Sequence, residues 1–284
     1  MQLIDLVKVM KIAHVLNVTE INDSKKSSYL HIAQPLTMKS MVTAKKVAKN
    51  VVDIELVALK HKAERVSIPA EFRWAADLDK YAWENIEALK GLTFHKPLPL
   101  LKDIILSLYN SSNAEYFIYT NLDIGLRPNF YLKVREFIEK GYDAFCINRR
   151  DLPKEYGGVL LDESTVELAY NIDGIMHPGI DCFVFKREIV PSLSLGNVYI
   201  GYPPVGQVLK TQIEINSRNF VWIKDERLTF HIGSDEVWRN SETPYYKENY
   251  KQSEGLYVNP FHPKLGLYRR FSNKLKSLIC KTSR

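Results

Sequence analysis

The chain has 284 residues, 45% of them hydrophobic, and a formal net charge of +6, which is enough apolar material for one large domain or two small ones. From Lys264 to the end there are seven basic residues and no acid, so the preceding body sums to −1 and the positive charge belongs to the tail. A neutral body argues against a nucleic-acid-binding domain, which would carry its positive charge on the folded face.

Cys146, Cys182 and Cys280 lie far apart, giving neither a disulfide framework nor a zinc-ligand spacing. Residues 1–18 are apolar but broken by Asp5, Lys8, Lys11 and His14, with no small-residue cleavage pattern. We therefore expect neither a signal peptide nor a membrane span, and a cytoplasmic setting. Residues 11–18 read as a first core strand, 19–28 as a polar loop, 36–50 as a helix with apolar positions at helical spacing, and 51–59 as a β-branched strand. The order β-α-β predicts a parallel sheet. Glycine is absent from the first 90 residues, which excludes a Walker loop and a G-x-G-x-x-G fingerprint there. Side chains, with a metal, must therefore hold any nucleotide.

Residues 63–93 mix Trp74, Tyr81 and Trp83 with charges and read as an excursion over the sheet. Pro97-Leu98-Pro99 opens a helix over 100–109, with a core stripe of Leu101, Ile104, Ile105 and Leu108. Next, residues 116–120 form an aromatic and β-branched run that predicts a buried strand, and it ends on Asn121-Leu122-Asp123. Alternate residues share a face, so Asn121 and Asp123 can point together at the carboxyl end of a sheet, where ligands bind; the same residue types also cap turns. A helix over 130–140 leads to a strand over 142–148 that ends on Arg149, Arg150 and Asp151. Two arginines there suit a phosphate or carboxylate, or a surface ion pair with Asp151.

His177-Pro178-Gly179-Ile180-Asp181 reads as a turn feeding a short buried strand over 182–185, with Asp181 at its entrance. Residues 197–205, with Gly201 and Pro203-Pro204, form a stiff loop; 208–216 is a helix or buried segment, and 220–223 a strand. His231 closes the apolar run from Leu228 and precedes Ser234-Asp235-Glu236; a histidine so placed is either a hydrogen-bonded structural residue or a ligand.

Asn121-Leu122-Asp123 at a strand end, the Gly-x-Asp of 179–181 and the distal His231 resemble glycosyltransferases of the GT-A fold. Segments Tyr119–Ile124, Asn148–Arg150 and His231–Asp235 are also similar to those of uncharacterised bacterial proteins of glycosyltransferase type. The resemblance spans roughly residues 11–240. It implies an α/β fold, a Rossmann-like, mostly parallel sheet flanked by helices, as one catalytic domain over 1–263 with a basic amphipathic tail over 264–284. It implies a nucleotide-sugar donor such as a UDP-sugar, a glycan or lipid-linked acceptor, and a place in surface polysaccharide biosynthesis. A variant D-x-D motif would hold Mn2+ or Mg2+ through Asp123 and His231, with Asn121, Lys102, Arg149 and Arg150 on the donor and Asp181 or Asp235 as catalytic carboxylate.

Two departures accompany it. Asn121 replaces the first carboxylate, so donor phosphates would have to complete the metal shell. Where inverting members carry a base at the start of a helix, this chain reads Val205-Gly206-Gln207. Asp181 or Asp235 then serves as base, or configuration is retained, or activity has been lost. The other function classes are a metal-dependent phosphate enzyme such as a nucleotidyltransferase, and an inactive sugar- or protein-binding module. In the tail, Tyr268, Phe271, Leu275, Leu278 and Ile279 recur at helical spacing among basic residues, which suits either an anionic membrane surface or a packed helix with a solvated face.

Overall fold

The computed structural model describes residues 9–21, 30–153, 165–233 and 241–257. In chain order it contains β1 (Lys11–Asn17), α1 (Leu30–Val47), β2 (Asp53–Leu59), β3 (Phe72–Trp74), the single-turn helices α2 (Ala82–Asn85) and α3 (Glu87–Lys90), and α4 (Leu101–Ser111). Then come β4 (Tyr116–Thr120), β5 (Ile124–Leu126), α5 (Phe130–Glu139), β6 (Ala144–Asp151), α6 (Val166–Tyr170) and β7 (Ile175–Lys186). A 3-10 segment (Arg187–Ser192), α7 (Val205–Asn216), β8 (Phe220–Ile223), β9 (Thr229–His231) and α8 (Pro244–Gln252) complete it.

The strands form one sheet in the order β3-β2-β1-β4-β7-β6-β9-β5, with β8 also on β6. Pairs β1–β2, β1–β4, β2–β3, β6–β8 and β6–β9 are parallel; β4–β7, β6–β7 and β5–β9 are antiparallel. The mostly parallel α/β sheet is therefore as the sequence leads one to expect. Strands buried on both faces need apolar side chains on both, and β1 alternates accordingly. Ile12 and Leu16 join the core under α1 and α5, while Ala13 and Val15 join the core under α4 and α7. The result is a sheet between two helical layers.

Three elements differ from the sequence reading, each for a tertiary reason. Helix α1 starts at Leu30 and runs through Pro35. Ala33 and Leu36 bury against Phe230 and Ile232, and that packing outweighs the hydrogen bond lost at the proline. The 63–93 stretch supplies β3, parallel to β2, before α2 and α3. Most consequentially, β7 is one twelve-residue strand, so residues 177–181 are strand and not an entering turn. The pairing absorbs the proline: β6 advances from Asn148 to Arg150 while β7 covers Ile180 to Met176, a bulge that contains Pro178.

Candidate functional site

Strand order reverses beside β1: the chain moves outward through β2 to β3, then returns to place β4 on the other side of β1. Open α/β sheets bind ligands at such a point, off the carboxyl ends of the strands. Asn121-Leu122-Asp123 lies there, in the turn from β4 into β5. Neither polar side chain caps α5, whose N-cap is Asn129. Instead both reach across to neighbouring strands.

Asn121 donates its backbone N–H to the Asp181 carbonyl (3.3 Å) and its side-chain amide to Asp181 Oδ1 (2.7 Å), while its own Oδ1 accepts from the Tyr119 hydroxyl (3.1 Å). Asp181 is presented by a second irregularity. Ile147 pairs with Cys182 and Asn148 with Ile180, so Asp181 is the extra residue of a bulge, a device that re-aims a side chain. Its Oδ2 accepts from Arg149 Nη1 (2.8 Å), and Arg149 Nε donates to Asp151 Oδ1 (2.9 Å). Residues 149 and 151 alternate correctly on β6 to share this face.

His231 reaches the cluster through β9, which lies between β5 and β6, opposite Ile124 on one side and Asp151 on the other. Gly125 makes this possible: any Cβ there would collide with the ring of its cross-strand partner Phe230, the residue before His231. Nε2 of His231 is 3.2 Å from Asp123 Oδ2, and Nδ1 is 3.8 Å from Asp151 Oδ1. One polar chain thus runs from Tyr119 through Asn121, Asp181, Arg149, Asp151 and His231 to Asp123, drawing on β4, β7, β6 and β9.

Burial acts to raise the Asp123 pKa, but the hydrogen bond with His231, the imidazole charge and Arg149 outweigh it and hold the carboxyl below the usual range. Asp181 goes the other way. Burial and the Asp123 charge push it up, with Arg149 opposing. Two neighbouring carboxyls are thereby separated in character, one held as an anion and one eased toward the proton-bearing form.

Of the residues singled out from the sequence, Asn121, Asp123, Arg149, Asp181 and His231 converge. Arg150 does not. It faces the other way on β6 and bonds Asp225 Oδ1 (2.7 Å) and the carbonyls of Asp173 and Gly174 (2.5 and 2.9 Å), tying loops together. Lys102 donates to Asn197 Oδ1 (2.8 Å) and lines a separate cavity of about 330 Å³ with Ile105, Val190 and Leu195. Asp235 and the tail lie outside the described residues. Sequence reasoning treated Asp151 only as an ion-pair partner; its two-residue spacing from Arg149 on a strand was the available signal.

Among the described residues no group of three His, Cys, Asp or Glu side chains is placed to hold a metal ion. Asp123 and His231 alone offer a carboxylate oxygen and an imidazole nitrogen at one corner. That donor set fits a divalent cation whose remaining positions are filled by substrate oxygens and water.

No protein-family model matches the chain, and no curated protein sequence matches it. Several solved structures resemble it. One is S. aureus TarS 1-349 in complex with UDP-GlcNAc, at 9% identity and a TM-score of 0.42, covering 80% of this chain and 59% of that one. The same fragment in complex with UDP gives 10%, 0.44, 79% and 61%. The chain therefore spans about three fifths of the TarS fragments that it matches. A third is glucosyl-3-phosphoglycerate synthase from Mycobacterium tuberculosis in complex with Mn2+, UDP and glucosyl-3-phosphoglycerate, at 12% identity and a TM-score of 0.43, covering 79% of this chain and 73% of that one. Within the chain itself, the central strand β4 leads into Asn121-Leu122-Asp123, and His231 lies beside Asp123.

Proposed function

We propose that this chain is a glycosyltransferase that takes a nucleotide-sugar donor, transfers the sugar to a glycan or lipid-linked acceptor, and uses a divalent cation, Mn2+ or Mg2+, at Asp123 and His231. The observation that carries this reading is the meeting of Asn121, Asp123, Asp151, Asp181 and His231 beyond the carboxyl end of β4. Among the described residues, Asp123 and Asp151 bring negative charge to the His231 corner, which a cation would offset where a diphosphate binds. A bound divalent ion would stabilise the negative charge that develops on the departing diphosphate.

The protein's own groups do the rest. Asp123, held as an anion, and the imidazole of His231 would hold the cation. Asn121 offers no charge and instead fixes Asp181. Arg149 Nε and Nη1 are engaged by Asp151 and Asp181, so in this reading Arg149 holds those carboxylates. Asp181, with its raised pKa, follows Ile180, whose carbonyl would lie 2.8 Å from a Cβ on Gly206 at the start of α7. In this reading the acceptor hydroxyl binds against Asp181, which accepts its proton or orients it. The tail beyond residue 263 would hold the protein to an anionic membrane surface that carries a lipid-linked acceptor.

Calorimetric titration with UDP, with and without Mn2+, tests the donor site. Wild-type protein should bind UDP only with the cation, and Asp123→Ala should abolish that binding and lower the transfer rate by about 10²-fold or more. No binding of UDP, GDP, CDP or a nucleoside-monophosphate sugar would refute the reading. A second reading, an inactive sugar- or protein-binding module, is favoured by the absence of a carboxylate in the first turn of α7, Val205-Gly206-Gln207. Cation-dependent donor binding without donor hydrolysis or transfer would favour that module.

A further inference from the structure

His231 is gripped from two sides, and the cation reading uses only one of them. Its side chain is 5% exposed, with Nε2 toward Asp123 on β5's side and Nδ1 toward Asp151 on β6's side. The Asp151 carboxylate does not hang free. Arg149 Nε holds Oδ1 at 2.9 Å, and Arg149, itself 7% exposed, is anchored in turn by Asp181 at 2.8 Å.

We propose that Asp151, fixed by Arg149, is a positioning residue that orients the His231 ring so that Nε2 faces the cation corner. This rests on the reading of Asp123 and His231 as that corner. An imidazole that ligates through one nitrogen works best when the other faces a carboxylate, which fixes the ring and raises its basicity. The 3.8 Å separation is too long for a hydrogen bond, so Asp151 acts through its charge and through the β6–β9 register that sets it opposite His231. Arg149 acts on the same carboxylate: without the fork, Asp151 can swing away into solvent, since its side chain is 34% exposed.

The test is a Mn2+ titration followed by electron paramagnetic resonance, with UDP present, on the full chain. Asp151→Asn should weaken Mn2+ binding by about 10- to 100-fold, and Arg149→Lys, which keeps the charge but not the fork, should weaken it in the same direction. Neither readout depends on turnover. The thermal midpoint of metal-free Asp151→Asn should stay within about 2 °C of wild type, because a carboxylate one-third exposed contributes little to folding. Wild-type Mn2+ affinity in Asp151→Asn would overturn the proposal, as would a fall in the metal-free midpoint that accounts for the lost binding. If wild-type protein itself binds no Mn2+, the cation reading fails, and this inference fails with it.

Discussion

His14 shows how far one residue's role depends on what surrounds it. It lies fully buried on β1, with Nδ1 2.9 Å from the Tyr131 hydroxyl and Nε2 2.9 Å from Thr120 Oγ1, one residue before Asn121. Burial pushes its pKa down from 6.5 to about 3, so the folded protein keeps it neutral. The unfolded chain protonates it below 6.5. Its contribution is therefore fully present above that pH and is lost as pH falls toward 3, by about 1.4 kcal/mol per unit. Urea unfolding at pH 7 and pH 4.5 should show this loss in wild type and a shallower one in His14→Gln; equal slopes would remove His14 as the cause. In the sequence, His14 reads only as a polar interruption in an apolar run. Its two partners lie 106 and 117 residues away, beyond the reach of any local pattern. Asp123 and His231, by contrast, were legible as strand-end polar residues, although their 3.2 Å contact was not.

Among the elements, α7 carries the greatest consequence for the site. Gly206 sits in its first turn, and the helix packs so closely on β7 that a Cβ would meet the Ile180 carbonyl at 2.8 Å. Backbone cannot yield as a flexible side chain does. Gly206→Ala should therefore displace the helix from Asp181's neighbour and destabilise the protein by about 1–3 kcal/mol, read as a lower urea midpoint. An unchanged midpoint would show that α7 shifts freely. From the other side, the loop before α7 is fastened by the fully buried Asn249 of α8, whose amide donates to the carbonyls of Tyr199 (3.0 Å) and Tyr202 (2.8 Å). The sequence reads 208–216 as a helix or buried segment, and the structure buries Val208, Leu209 and Ile213 there; the first turn, Val205-Gly206-Gln207, reads from sequence only as a place lacking an acid. The long β7 was misread for a related reason. Pro178 and Gly179 are turn residues by habit, and only the pairing with β6 makes them a bulge within a strand.

At the scale of the whole molecule, charge and core divide the chain. No helix among the described residues is long and apolar enough to cross a membrane. The proposed attachment to an anionic membrane surface rests on the basic residues from Lys264 onward. The intact chain should float with anionic liposomes at low salt, and one ending before Lys264 should not; equal flotation would leave the tail without that role. By itself the sequence determined the α/β class, the parallel β1-α1-β2 start, the buried strand ending on Asn121 and Asp123, and the segregation of charge. These follow from side-chain periodicity and composition, which act over a few residues at a time. Only the tertiary structure decided that Asp181 is a bulge residue held by Asn121 and Arg149, that Arg150 faces away, and that Asp151 and Asp123 flank His231. Those facts depend on strand order and register, which join residues up to about a hundred positions apart and leave no local trace in the chain.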